Sequence, residues 1–267
     1  MNRYYNPVRT LEGPGSLSSL PEILNGMEPD SKRILLLVWS EEVLKNPAFS
    51  FLLDQKSGFQ TLPFSFQASN PTVEQLFETY EATKEFAPAV VIAVGGGSIM
   101  DVGKSLCCLY GHSLSNVDAL RELIVTKAYG TPAARWIGIP TTAGTGSETT
   151  CWATIWDPSQ DAKRSVECHE NYAWAAVVDS DLTKGMPLKL AVSSGLDAAA
   201  HGVESYWAKG TNCVSRAMAL SAIRMIMENM EGLLAGRETA REAMARGSMM
   251  AGLAFSNTKT TACHSIS

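Results

Sequence analysis

The stretch Val90-Val91-Ile92-Ala93-Val94-Gly95-Gly96-Gly97-Ser98-Ile99-Met100-Asp101-Val102-Gly103-Lys104 decides the fold class. Five apolar, mostly β-branched residues read as a buried strand. Glycines and a serine follow, and then Ile99, Val102 and Leu106 recur with a helical period. The chain therefore leaves a strand, turns through glycine and enters a helix. Glycine is expected here to permit positive φ and to clear Cβ atoms from the turn. The N-terminus of such a helix directs free N–H groups and a partial positive charge outward, which suits a phosphate. A tight strand-to-helix turn with no ligand is the plainer alternative. The offsets in GGGS-x-x-D-x-x-K add a hydroxyl, a carboxylate and an amine, and the motif differs from G-x-G-x-x-G.

Similar strand-like runs lie on either side. Residues 33–39 (RILLLVW) and 136–140 (WIGIP) are continuous apolar strands of the kind buried on both faces. Residues 61–66 and 174–179 are further candidates, and 152–156 with 164–168 read as a β-hairpin. Helices are expected at 20–24, at 42–57 with Ser40 as N-cap, from Asn70-Pro71-Thr72 to about 86 with Pro71 at or near the first helical position, and from the glycine turn to about 109. Residues 111–134 read as a looser connection. Alternation of strands and helices from 33 to 179 predicts a Rossmann-like parallel sheet wrapped by helices. Residues 188–207, 213–234 and 237–254 are helical patterns with no strand between them. The expected organisation is an α/β domain over 1–182 and an all-α domain over 183–267.

Length and composition bound the function. The 267 residues suffice for one large or two medium domains. The net charge of −5 argues against nucleic acid or an anionic membrane surface as partner. No apolar run approaches the roughly 20 residues of a membrane span, and the N-terminus has no apolar signal core. A cytoplasmic location is expected. The six cysteines are scattered without C-x-x-C, as in a reducing compartment.

Two further segments carry chemistry. The strand at 136–140 runs into Thr141-Thr142-Ala143-Gly144-Thr145-Gly146-Ser147-Glu148, either a polar connection or a second lip of a nucleotide cleft. In Gly195-Leu196-Asp197-Ala198-Ala199-Ala200-His201-Gly202-Val203-Glu204-Ser205-Tyr206, Asp197 and His201 stand four apart on one helix face. Carboxylate and imidazole suit Zn²⁺ or Fe²⁺; a helix salt bridge is the alternative.

Taken together, these motifs resemble the iron-containing alcohol dehydrogenase family. The Gly-Pro-Gly start, Asn-Pro-Thr, GGGS-x-x-D-x-x-K, P-T-T-A-G-T-G-S-E, L-D-A-x-x-H and a later helix with His264 occur in the family's order over most of the chain. The resemblance implies reversible hydride transfer between NAD(P)H and a small aldehyde or ketone, a divalent metal (Fe or Zn) and a homo-oligomer. It implies Asp197, His201 and His264 as metal ligands. It implies Asn70, Gly96, Gly97, Ser98, Asp101, Thr141, Thr142, Thr145 and Lys163 as cofactor-binding residues, with Asp101 bracing the turn and Lys104 pairing with Asp101 or staying solvated. Lys163 has a second reading as a solvated strand residue.

Three departures from the family pattern bear on these expectations. The family's fourth ligand, a His in an H-G motif, is absent before Ser267, so the chain reads as a C-terminally truncated member, and an inactive dinucleotide-binding fragment is one alternative. Ser267 stands where many members carry a further His near the nicotinamide. Ser40 replaces an Asp that often follows the first strand, which permits NADP without excluding NAD. The T-A-C-H-S-I-S ending looks most like members that reduce phosphonoacetaldehyde, and Lys259 and Arg216 are candidate cations for an anionic substrate. Dehydroquinate synthase and glycerol-1-phosphate dehydrogenase relatives, which share the GGGS turn, are the other alternative.

Overall fold

The computed structural model describes residues 3–261 and His264. In chain order, β1 (Arg9–Glu12) and α1 (Leu20–Met27) precede β2 (Arg33–Val38). Short turns and the one-turn α2 (Ser50–Leu53) lead to β3 (Gln60–Ser65), α3 (Val73–Thr83), β4 (Val90–Gly95) and α4 (Gly97–Leu109). Then come α5 (Val117–Thr126), β5 (Arg135–Pro140), the hairpin β6 (Trp152–Asp157) and β7 (Ala162–Glu167), and β8 (Ala175–Val178). Three long helices end the described chain: α6 (Leu188–Trp207), α7 (Cys213–Leu234) and α8 (Glu238–Thr258). None of the described helices is long and apolar enough to cross a membrane.

Contacts divide the chain into two compact units. One is Ser18–Ile139 with Cys151–Ala175; the other is Met1–Leu17, Pro140–Thr150 and Ala176–Ser267. Along the chain the strands give way to helices near 182–187. In space, the first residues and the 140–150 loop group with the helices.

In the α/β unit the strands run β5-β4-β2-β3, and β2 is parallel to both β3 and β4. β2 and β4 are almost entirely apolar and fully buried, as strands covered on both faces must be. Gly103 lets α4 lie close to the sheet: a Cβ there would stand 3.0 Å from that of Ala93. β6 and β7 pair antiparallel from Trp152–Glu167 to Asp157–Ala162, the expected hairpin.

Several local expectations change. Residues 42–57 do not form one helix; they break into three short 3-10 turns and α2. Asn46 precedes Pro47, which disfavours helical backbone, and its side chain caps the next turn by accepting from Ala48 N–H. Asp54 does the same for Lys56 N–H. Ser40 does cap its turn, accepting from Glu42 N–H. Pro71 lies outside α3. Thr72 is the N-cap, its hydroxyl accepting from Gln75 N–H while Gln75 accepts from Thr72 N–H, a capping box.

Residues 111–134 contain α5, capped by Asn116. Arg121 on α5 binds Asp157 at 3.0 Å and Asp118 at 2.7 Å, and it also reaches Glu74. Arg164 also meets the buried Asp157, so Arg121 ties α3, through Glu74, and α5 to the hairpin, through Asp157. Burial opposes the charge on Asp157, but hydrogen bonds from Ser159, Arg121 and Arg164 hold its carboxyl below the ordinary range. The five described cysteines are all free, with Cys107, Cys108 and Cys151 buried; Cys263 lies outside the described residues.

In the second unit β1 lies beside β8. Asn212 caps α7 by accepting from Val214 and Ser215 N–H. Small residues bring the three helices together: Gly202 faces Ile223 and the Ala219 carbonyl, and Gly247 faces Ile226. Ala198, Ala222, Ile226, Met244 and Ala251 fill the core between them. Replacing Thr72 with Ala should remove the α3 capping box and cost about 1 kcal/mol. Urea unfolding measures this, and an unchanged midpoint would show that the box contributes nothing.

Candidate metal centre

The glycine turn lies in the α/β unit. Gly96 is the N-cap of α4 in extended conformation (φ −80°), and none of Gly95, Gly96 and Gly97 takes positive φ. The expected need for positive φ is therefore corrected. What excludes a side chain is proximity: a Cβ on Gly95 would stand 2.4 Å from Ile99 Cγ1. Ser98 Oγ accepts from Asn70 N–H at 3.1 Å, so Asn70 sits at the start of α4 in the left-handed conformation that Asn tolerates (φ 52°).

Asp101 does brace the turn. It accepts from Thr154 N–H at 3.0 Å and meets Lys104 at 3.5 Å. Lys104 is fully buried rather than solvated; it donates to the Trp152 carbonyl at 2.6 Å. A buried ammonium is tolerable only with such partners. Lys163 is an exposed residue of β7 whose Nζ lies 5.0 Å above the Trp156 ring.

The hydroxyl-rich loop belongs to the helical unit. Gly146 takes φ 56°, and a Cβ there would collide with Gly252 Cα at 2.6 Å. Gly144 is pressed against Ser194 in the same way. The loop's glycines thus serve close packing onto α6 and α8. Thr145 is exposed, with Oγ1 accepting from Ser147 N–H at 3.3 Å, and Thr141 and Thr142 are half-buried.

α6 presents Asp197 and His201, and His264 completes a cluster in which one donor atom from each residue lies within 4.8 Å of the others. The His201 ring is buried between the Phe255 ring (centroids 4.5 Å apart) and the His264 ring (4.3 Å). Burial, the largest influence, pushes the His201 imidazole below its ordinary range. Asp197 opposes this, His264 adds to it, and Glu204 and a hydrogen bond to the Gly144 backbone act with Asp197. His201 Nδ1 is buried without a hydrogen-bond partner, 3.7 Å from Asp197 Oδ2.

His264 is held at both nitrogens: Nδ1 meets Glu204 Oε1, and Nε2 lies 3.2 Å from Asp197 Oδ1. With Nδ1–H donating to Glu204, Nε2 turns a lone pair toward a carboxylate oxygen. An orphaned imidazole nitrogen and facing acceptors are what a divalent cation would satisfy, and the donor set suits Fe²⁺ or Zn²⁺. The residues present fit a metal ion.

The sequence does not single out Phe255, and Glu204 stands in the D-A-x-x-H-x-x-E-x-Y motif without a role of its own. The i, i+4, i+7 spacing of Asp197, His201 and Glu204 was the available signal for Glu204, because it places all three on one helix face. Ser267, expected near the nicotinamide, lies outside the described residues.

Residues 7–180 match the iron-containing alcohol dehydrogenase family, and residues 191–267 match the C-terminal part of the Fe-containing alcohol dehydrogenase family. This chain belongs to that family. An NADPH-dependent butanol dehydrogenase from Clostridium saccharobutylicum is 33% identical over 268 residues, covering 100% of this chain and 67% of that protein. An NAD-dependent methanol dehydrogenase from Bacillus methanolicus is 33% identical over 277 residues, covering 100% and 69%. The crystal structure of sulfoacetaldehyde reductase from Bifidobacterium kashiwanohense in complex with NAD+ superposes with a TM-score of 0.85 at 27% identity, covering 99% of this chain and 69% of that one.

The depressed His201 sets a pH dependence. The unfolded chain takes up this proton near the ordinary imidazole value of about 6.5, whereas the folded chain resists it. Its contribution to stability is therefore present above that pH and lost as pH falls through the folded value. Metal-free protein should lose Tm between about pH 7.5 and about pH 5.5, and His201→Gln should flatten that slope. Identical slopes would show that His201 is not buried in neutral form.

Proposed function

We propose that the protein is a metal-dependent, NAD(P)-linked alcohol dehydrogenase that interconverts a small aldehyde or ketone and its alcohol. The observation that carries this reading is the Asp197–His201–His264 cluster, with its buried orphan nitrogen, in a member of the iron-containing family. When bound, the metal ion supplies Lewis acidity to the carbonyl oxygen, and the nicotinamide supplies or accepts the hydride.

The chain's own residues prepare for this. Asp197 contributes negative charge, and His201 and His264 contribute neutral donors; stacking between the buried Phe255 ring and the half-buried His264 ring limits water at the faces of His201. Gly96, Gly97 and Ser98 would receive the pyrophosphate at the N-terminus of α4, where free N–H groups and the helix dipole favour an anion. Asn70 would lie at the same end, placed by its bond to Ser98. Asp101 supports this turn through Thr154 and Lys104. Thr141, Thr142 and Thr145 would face the nicotinamide, and Lys163 would serve the cofactor's rim. Both NADPH and NAD appear in the names of the relatives, and Ser40 carries a hydroxyl where the family often has Asp, so either dinucleotide is accepted in this reading.

The finer reading of the substrate is a two-carbon aldehyde with an anionic tetrahedral group, of the phosphonoacetaldehyde type. The likeness to a sulfoacetaldehyde reductase supports it, since the two aldehydes share length and an anionic tetrahedral end. Lys259 closes α8 in the segment leading to His264. Arg216 is the weaker candidate cation; it lies over the Tyr206 ring beside a surface cavity lined by Thr211, Asn212 and Leu220.

The test is aldehyde-dependent NADH and NADPH oxidation by metal-loaded protein, with phosphonoacetaldehyde, sulfoacetaldehyde and butanal compared. Turnover should fall at least about 100-fold in Asp197→Ala, as expected when charge stabilisation at a reacting oxygen is lost. Undiminished turnover in that variant would contradict the metal-dependent reading. Dinucleotide binding without turnover in the native chain would favour a non-catalytic binding role.

A further inference from the structure

Glu204 is almost fully buried, at 2% exposure, in the last turn of α6. A buried carboxylate is costly unless its oxygens are bonded. Among the described residues neither Lys nor Arg pairs with it. Its partners are Thr261 N–H, Thr261 Oγ at 2.7 Å and His264 Nδ1. Burial opposes the charge, but the bonds from Thr261 and His264 outweigh it and hold the carboxyl below its ordinary range. All three partners belong to Thr261 and His264, which follow α8, so this carboxylate is one of the points at which those two residues dock on α6.

The position of Glu204 on α6 gives those bonds a purpose. Asp197, His201 and Glu204 follow at i, i+4 and i+7, so they line one face of the helix. The His264 ring bridges the two ends of that line, with Nδ1 on Glu204 and Nε2 on Asp197. We propose that Glu204 is a positioning residue for the metal centre. It accepts a hydrogen bond from the Nδ1–H of His264, fixes the tautomer and ring orientation, and thereby presents the Nε2 lone pair to the ion held with Asp197 and His201. Carboxylates commonly serve metal-bound imidazoles in this way. The proposal rests on the metal reading above and adds a residue to it.

The experiment titrates the native chain with Co²⁺ alone and follows its visible absorption, without any turnover assay. Glu204→Gln keeps a carbonyl for the Thr261 N–H but loses the charge that orders His264. Co²⁺ affinity should fall about 10–100-fold, and the absorption bands should shift as the third donor is misplaced. Thr261→Val, which removes only the hydroxyl bond and leaves His264 on Glu204, should stay within about 3-fold of native. In a His264→Ala background, Glu204→Gln should have little further effect, because a residue acting through His264 has nothing left to position. Native affinity and spectrum in Glu204→Gln would overturn the positioning role alone. An equal loss in the His264→Ala background would also overturn it, by making Glu204 a ligand. Failure of the native chain to bind Co²⁺ would overturn the metal reading itself, and the positioning role with it.

Discussion

The unfavourable meeting of acceptors around His201 is the constraint on which the rest of this structure turns. A carboxylate, a buried imidazole nitrogen without a partner, and a second imidazole lie within 4.8 Å of one another. Leaving a buried polar atom unpaired costs about 1–3 kcal/mol, and His201 Nδ1 is such an atom, with an Asp197 oxygen 3.7 Å away and the His264 ring stacked on its own. Helix geometry and ring stacking hold them in place: α6 fixes Asp197 and His201, Phe255 packs on one side of His201, and His264 packs on the other.

Beneath the stacking and hydrogen bonds of this cluster lies close approach permitted by small residues. Gly144 and Gly146 allow the 140–150 loop to press on Ser194 and Gly252, and Gly202 and Gly247 allow α7 to approach α6 and α8. The loop also contributes a backbone hydrogen bond to His201, so the hydroxyl-rich segment and α6 form one assembly. In the α/β unit the same economy appears at Gly95 and Gly103, which set α4 against the sheet and so aim its N-terminus.

Much of this was legible in the sequence because the signals were local. β2 and β4 announce themselves as uninterrupted apolar runs, the hairpin as two strands about a Pro-containing turn, and α6, α7 and α8 as long periodic patterns. The three metal-ligand candidates were chosen by type and spacing together with family resemblance, and the structure brings them together. What escaped is what contacts decide. Residues 42–57 have helical composition, yet Asn46 and Asp54 bond to the backbone ahead of them and break the run. α5 is short, and the Arg121 network that anchors it comes from distant residues. Gly146 and Gly252 are needed by each other, and Glu204 has meaning only once His264 has arrived beside it.

The central claim is that Asp197, His201 and His264 together hold one divalent cation. Crystals grown with Fe²⁺ or Zn²⁺ and measured at the metal's absorption edge test it most directly, through the anomalous difference map. The account predicts a single strong peak per chain within bonding distance of Asp197, His201 and His264, with Glu204 retained on His264 Nδ1. A map with no peak there, or with its peak elsewhere in the chain, would contradict it.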